Sequence, residues 1–363
     1  MPNEIVIDGS HGEGGGQLLR TAVALAAITG RALHIENIRA KRTKGGLAPQ
    51  HVAAVRAVGA LCGARIDGLA LRSTALTFVP AEVRGGSFDF DVGTAGSVTL
   101  VLQALLPVLA ARGETGEISV RGGTDVRAAP PLDYFREVTL PLLSLMGVDT
   151  ELVVRRRGYF PRGGGEVALR IRSARVRPAA FAAAGPVRRI AGLAHVAGID
   201  AGVAGRMRDA CLAGLAGRGV RAEVEIAVLS PEQAMGSGGA VVAWAQADNT
   251  VLGAGRAAEK GIRAETLGAA VGTELHDDLT AGVGLDVHAA DQMLVYLALA
   301  RGGSFSTRLL SSHAQTAIWL IEQFLPVHFQ KAALDGRQVC VSVKPRTGPT
   351  IHSAGSAPPG HSR

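Results

Sequence analysis

The stretch EIVIDGSHGEGGGQLLRTAVALAAITGRALHIENI, residues 4–38, carries strand, glycine loop, helix and strand in one run. EIVID (4–8), three β-branched residues between two acids, reads as a strand. GQLLRTAVALAAITG (16–30) repeats apolar residues at helical spacing and stops at Gly30, a residue suited to ending helices. ALHIENI (32–38) reads as a second strand. PQHVAAVRAVGALCG (49–63) is a helix with Pro49 at its start, and ALRSTALTFVP (70–80) closes the unit with strand. The order βαβαββ packs two helices on one face of a small sheet.

The same order recurs along the chain. A second unit opens with FDFDV (88–92). Its helices AGSVTLVLQALLPVLAAR (95–112) and PPLDYFREVTLPLLSLMG (130–147) flank the strand GEISVRG (116–122), and TELVVRR (150–156) and GEVALRIR (165–172) end it. A third begins near 285 with the helix HAADQMLVYLALA (288–300) and the strand SFSTRLL (304–310). The helix in LLSSHAQTAIWLIEQFLP (309–326) follows, then VHFQKAAL (327–334) and QVCVSV (338–343). The fold class is therefore α/β (α+β), with three repeated βαβαββ-type units in one large domain. That domain covers 1–182 and 283–344, and residues 183–282 read as an inserted, smaller α/β domain. Residues 345–363, rich in Gly, Pro, Ser and His, read as a disordered tail.

The chain has 363 residues, 47% hydrophobic, with a formal charge of +7. Lysine occurs only at 41, 44, 260, 331 and 344, so arginine carries most of the positive charge. Arginine suits bidentate phosphate binding, and a basic balance favours an anionic partner such as nucleic acid or nucleotide. Cys62, Cys211 and Cys340 are far apart without CxxC spacing, which argues against a disulfide framework or zinc knuckle. The opening MPNEIVIDGS reads as a strand start rather than a signal peptide, and no run is long enough to span a membrane. The expected location is the cytoplasm. P-loop, HExxH and GxSxG motifs are absent, as is the lysine setting of lysine-adenylating ligases.

Five stretches hold candidate chemistry. DGSHGEGGGQLLR (8–20) is a glycine-rich turn at a helix start, able to face backbone N–H groups toward an anion. Glu13 in it is either a solvated turn residue or a carboxylate for a divalent metal. RAKRTKGGLAPQH (39–51) clusters Arg39, Lys41, Arg42 and Lys44 before a helix with Gln50 and His51, as a solvated loop or a phosphate pocket. GGTD with Pro130 and Pro131 makes a rigid strand-to-helix connection. RGYFPRGGGEV (157–167) puts three glycines between strands, where another backbone or a ligand comes close. In unit three, HAADQ (288–292) places Asp291 where it complements a helix dipole or orients His313. Ser312 and Gln315 fit a capping box, making His313 the first helical residue of its helix.

Together these residues resemble the RNA 3′-terminal phosphate cyclase family. RGYFPRGGGEV is similar to its signature of Arg or His, Gly, two residues, Pro, one residue and three glycines. DGSHGEGGGQLLR, GTAGSVTLVLQALLP, GGTD with APP, and SSHAQTAIWLIEQFLP resemble other family motifs in the same order, over about residues 4–344. The resemblance implies an ATP-dependent ligase-type enzyme that converts an RNA 3′-terminal phosphate to a 2′,3′-cyclic phosphate, releasing AMP and pyrophosphate. It implies a covalent histidine–AMP at His313, transfer of AMP to the RNA phosphate, and ring closure by the 2′-hydroxyl. It places Glu13 at the divalent metal, Mg or Mn. Arg20, Arg39, Arg42 and Gln50 fall in the pocket for the phosphate of the RNA end. Gln103, Pro131, His288, Ala289, Ala290, Asp291 and Gln292 fall in the ATP site, with His288 where relatives can carry Tyr. Two other readings compete: a non-catalytic, ribosome-assembly relative that only binds RNA and lacks the histidine, and a metabolic transferase of similar repeats.

Overall fold

The computed structural model describes residues 4–217, 221–334 and 336–346. The architecture is mixed α/β. The first sheet takes β1 (Ile5–Asp8), β2 (Leu33–Glu36), β3 (Arg65–Asp67) and β4 (Leu76–Val79) in the order β1-β2-β4-β3. Helix α1 (Gly16–Thr29) connects the parallel pair β1–β2, and α2 (Pro49–Cys62) leads into the antiparallel pair β3–β4. Leu18, Leu19, Ala22, Val23 and Leu25 bury one side of α1, and Gly30 ends it in the left-handed conformation at φ 68.

The second sheet repeats the pattern with β5 (Gly86–Asp91), α3 (Val98–Arg112) and β6 (Gly116–Gly122). The expected helix over 130–147 is interrupted: α4 (Leu132–Tyr134), a π turn over Phe135–Thr139, then α5 (Leu140–Leu145). Pro141 lacks the N–H an unbroken helix would use, and the widened turn absorbs this. β7 (Val148–Gly158) and β8 (Gly165–Ala174) complete the antiparallel part, giving β7-β8-β6-β5.

The third sheet has the same order but borrows its first strand. That strand is β9 (Ala180–Phe181), which lies about 100 residues before the rest and pairs in parallel with β15 (Ser304–Thr307). Two residues are too short for a periodic signal, which is why the unit reads as starting near 285.

Between β9 and its sheet run β10 (Val187–Ala197), α6 (Gly202–Gly214), β11 (Ala222–Leu229), β12 (Ala234–Met235), β13 (Gly238–Ala247), β14 (Val251–Ala257) and α7 (Ala264–Ala281). They form a sheet β11-β10-β13-β14 over an apolar core of their own, including Ile190, Ala194, Met207, Cys211, Val271 and Leu275. Helices α6 and α7 touch backbone to backbone: a Cβ on Gly268 would stand 2.1 Å from Met207 O. β12 leaves this sheet and pairs with β7.

The chain returns through α8 (Val287–Leu299), β15 (Ser304–Thr307), α9 (Ser312–Phe324), β16 (Val327–Leu334) and β17 (Gln338–Pro345). Helices α1, α2, α3, α8 and α9 pack on one another and share the large core. Pro345 belongs to β17 rather than to a tail, and Arg346 N donates to Pro326 O at 2.9 Å. The rest of the expected 345–363 tail lies outside the described residues. Among the described residues no helix is long and apolar enough to cross a membrane.

Candidate active site

Helix α9 starts one residue before the expected His313. Ser311, not Ser312, caps it, with Oγ accepting from Ala314 N at 2.9 Å. Either serine satisfies the sequence pattern. Ser311 is also held by donating to Asp291 Oδ1 at 2.7 Å, which ties the start of α9 to α8. Gln315 donates to Leu310 O at 3.2 Å instead of closing a capping box. His313 is thus the second helical residue, near the positive end of the helix.

The glycine loop folds over this turn from the far end of the chain. Glu13 N donates to Thr316 Oγ1 at 3.0 Å, and His11 stacks on Trp319 with ring centroids 3.7 Å apart. Gly12 has φ +57, and a Cβ there would stand 2.2 Å from Thr316 Oγ1, so this contact needs glycine. Glu13 arrives with Oε2 3.5 Å from His313 Nδ1, while its Oε1 pairs with Arg42. Asp291, expected to orient the histidine, is instead spent on Ser311, and burial pushes its carboxyl up to about 6. Glu13 is the acid that faces the imidazole.

The His313 side chain is 45% exposed. Burial lowers its pKa below 6.5; Asp291 opposes this, and Arg42 and Arg20 reinforce it. With Nδ1 turned to Glu13, Nε2 is the nitrogen available to a substrate, and the ring is neutral at physiological pH. Arg20 is desolvated, which lowers its pKa to about 10, and among the described residues no carboxylate pairs with it. An unpaired, desolvated guanidinium beside a helix start is a receptor for phosphate. That start is Gly15–Gly16 of α1, where no side chain caps the helix. His51 closes the pocket beneath. Its Nδ1 accepts from Ala48 N at 3.1 Å, and burial, with Arg20 and Arg39 nearby, drops its pKa to about 3.

The remaining expected residues divide. Arg39 has φ +56 and donates Nη1 to Lys44 O and Gly46 O at 3.0 and 2.9 Å, so it shapes the basic loop. Gln50 lies against the turn at Gly96. Gln103 Nε2, on α3, is buried without a hydrogen-bond partner, as a ligand-binding amide would be. Gln292 accepts from Thr139 Oγ1 at 2.8 Å. Ala289 and Ala290 turn their methyls into the core, and their N–H groups go to Asp286, so neither presents a side chain to the site. His288 Nε2 stands 2.8 Å from Glu274 Oε1.

Residues 11–331 match the family model described as RNA 3′-terminal phosphate cyclase. The chain belongs to the RNA 3′-terminal phosphate cyclase family. It is 52% identical to the RNA 3′-terminal phosphate cyclase of Nitrosospira multiformis over 89% of this chain and 92% of that protein. It is 44% identical to that of Hyperthermus butylicus, over 89% of this chain and 92% of that protein. With that of Korarchaeum cryptofilum it shares 41% over 90% of this chain and 93% of that protein.

The family signature at 157–167 has a structural explanation that spacing alone could not supply. Gly163 and Gly164 adopt φ +68 and +71, and a Cβ on Gly163 would stand 2.5 Å from Thr94 O. The close neighbour there is backbone. Arg157, which opens the signature, lies in a sealed cluster. It donates to Asp125 Oδ2 at 3.2 Å and Asp133 Oδ1 at 2.8 Å, and its Nη1 is 3.1 Å from His195 Nε2. The other ring nitrogen of His195, Nδ1, lies 2.9 Å from the Tyr159 hydroxyl. Asp125, Asp133 and His195 are residue types able to hold a metal, and their ligand atoms lie within 4.8 Å of one another. The positive charge they face here is the Arg157 guanidinium. Burial raises the Asp133 carboxyl, but His195 and Arg157 outweigh it and hold it below its ordinary range. The cluster fixes the connection carrying Pro131, since Asp125 Oδ1 accepts from Leu132 N at 3.2 Å.

Proposed function

We propose that this chain, an enzyme of the RNA 3′-terminal phosphate cyclase type, joins AMP to itself at His313 and passes it to RNA. The observation that carries this is the pairing of Glu13 Oε2 with His313 Nδ1 at 3.5 Å, which leaves Nε2 free beside Arg20 and Arg42. In the first step Nε2 attacks the α-phosphorus of ATP, a P–N bond forms and pyrophosphate leaves. The ring becomes cationic as it attacks, and Glu13 at Nδ1–H stabilises that charge. In the second step an oxygen of the RNA 3′-phosphate displaces His313 from AMP, making a mixed anhydride. In the third the 2′-hydroxyl attacks the 3′-phosphorus, loses its proton to solvent and expels AMP. The anhydride matters because AMP is a far better leaving group than oxide.

Arg20 and Arg42, the N-terminus of α1, and Arg39 and Gln50 form the proposed pocket for the phosphates of ATP and the RNA end. Pro131, Gln103 and the 288–292 turn form the proposed nucleotide side; of that turn, His288, Asp291 and Gln292 bring side chains. Glu13, whose Oε1 pairs with Arg42, would offer a divalent cation one carboxylate ligand. Mg or Mn held by Glu13 would neutralise triphosphate charge. We further propose that 1–182 with 283–344 is the catalytic domain and 183–282 an inserted one, supported by the separate apolar core. The enzyme would work on cytoplasmic RNA.

Incubation with α-labelled ATP and Mg or Mn tests the central step. The expected result is an acid-labile, protein-bound label, lost in His313→Ala. A label that survives that substitution overturns the assignment.

A further inference from the structure

The surroundings of His288 are built largely by the 183–282 stretch. The N–H of His288 is capped by Asp286 Oδ1 at 3.0 Å, so α8 is complete at this point without help from elsewhere. Yet Nε2 of the ring lies 2.8 Å from Glu274 Oε1 on α7. The same carboxylate pairs with Arg256 of β14. Arg256 Nη1 donates to Gly255 O at 2.8 Å, and Gly255 lies against the Pro131 ring, 3.2 Å from where its Cβ would be. Pro131 and His288, two of the residues assigned to the nucleotide, are therefore backed by β14 and α7 respectively.

Charge explains why a histidine belongs there. Glu274 on α7 and Asp286 ahead of α8 favour a proton on the ring, while Arg256 on β14 and burial oppose it. The balance raises its pKa above the ordinary 6.5, with the Glu274 bond the largest cause. Tyr134, from α4, packs edge-on to the ring at 6.3 Å and spends its hydroxyl on Asp286. Asp291, on the same helix α8, accepts from Ser311 at the head of α9, which ties the His288 turn to the helix that carries His313. The side chain is 45% exposed. With Nε2 committed to Glu274, a protonated ring has one donor left, Nδ1–H.

We propose that Glu274 is a positioning residue that holds His288 as an imidazolium, and that Nδ1–H of His288 donates to an acceptor on the nucleoside of bound ATP. This rests on the reading of residues 288–292 as nucleotide-contacting. It gives the 183–282 stretch a role in substrate recognition. When the ring loses its proton, Nε2–H stays on Glu274 and Nδ1 turns from donor to acceptor, so the bond to nucleotide is lost.

The test is the ATP dependence of labelled-adduct formation across the histidine titration range. In the wild-type protein, KM for ATP rises about fivefold to tenfold as pH passes upward through the His288 titration. Glu274→Gln keeps an acceptor oxygen but removes the charge, and moves that rise to lower pH. Arg256→Gln removes the opposing cation and moves it to higher pH, so the two variants shift in opposite directions. His288→Tyr abolishes the pH dependence of KM. A merely structural Glu274 would alter folding without moving the midpoint. A flat wild-type KM, or a midpoint unmoved in both Glu274→Gln and Arg256→Gln, overturns the proposal while leaving the nucleotidyl-transfer reading intact. Absence of any adduct in the wild-type protein overturns that reading, and this one with it.

Discussion

Two clusters of arginine, carboxylate and histidine stand in this molecule, and they end in opposite states. At the junction of the second sheet with β10, the Arg157, Asp133 and His195 side chains are 8%, 0% and 0% exposed. At the head of α9, Arg42, Glu13 and His313 are 47%, 10% and 45% exposed. The first spends its guanidinium on two carboxylates and an imidazole. Each leaves a buried polar atom without a hydrogen bond, Asp133 Oδ2 in the first and His313 Nδ1 in the second, so what separates them is exposure. The same residue types thus hold a fold together when sealed and stand ready for chemistry when one edge is open.

Substitutions separate the two clusters, and the largest effect belongs to the open one. His313→Ala lowers adduct formation on the order of 10⁴-fold or more, with the urea midpoint unchanged, because the proposed nucleophile is gone and its site is half open. Arg157→Ala strands two buried carboxylates and costs about 3–5 kcal/mol of stability by urea denaturation. An unchanged midpoint there would mean that water replaces the guanidinium and the cluster is not sealed. Glu13→Gln keeps an oxygen facing Nδ1 but loses its charge, and slows adduct formation about 10- to 100-fold in a single-turnover assay.

Acid gives the smallest and most graded contrast. His313 has a lowered pKa, so its neutral form persists at neutral pH and the adduct rate falls only as pH drops below 6.5. Asp133 also has a lowered pKa, from an ordinary 3.8, so its contribution to stability is present above that value. It is lost only as pH falls through the lower folded value. Rate and circular dichroism followed together should therefore show a window in which the protein is folded and slow. Coincident loss of both would erase the distinction between the clusters.

Much of this was legible in the chain because local signals sufficed. Helical spacing, Gly30 and Pro49 mark the first unit, and the order of motifs places His313 on a helix start. What failed was local ambiguity or distance. Ser311 and Ser312 are equivalent by pattern, and only the hydroxyl bond to Asp291 decides between them. Asp291 sits closer in sequence to His313 than Glu13 does, yet it is Glu13 Oε2 that faces the ring's Nδ1, at 3.5 Å. Arg157 meets partners 24, 32 and 38 residues away, and His195 sits in a strand with nothing beside it to announce a role. The one available sign was that an arginine opens a glycine signature whose other members serve backbone packing.

The bond from Glu13 N to Thr316 Oγ1 joins residues 303 positions apart. It means that the two halves of the proposed adenylation site are made 303 residues of synthesis apart. At about 5–20 residues per second, the glycine loop waits roughly 15–60 s for the helix that completes it. On the proposed chemistry, a nascent chain therefore cannot capture AMP until α9 has emerged to meet the glycine loop.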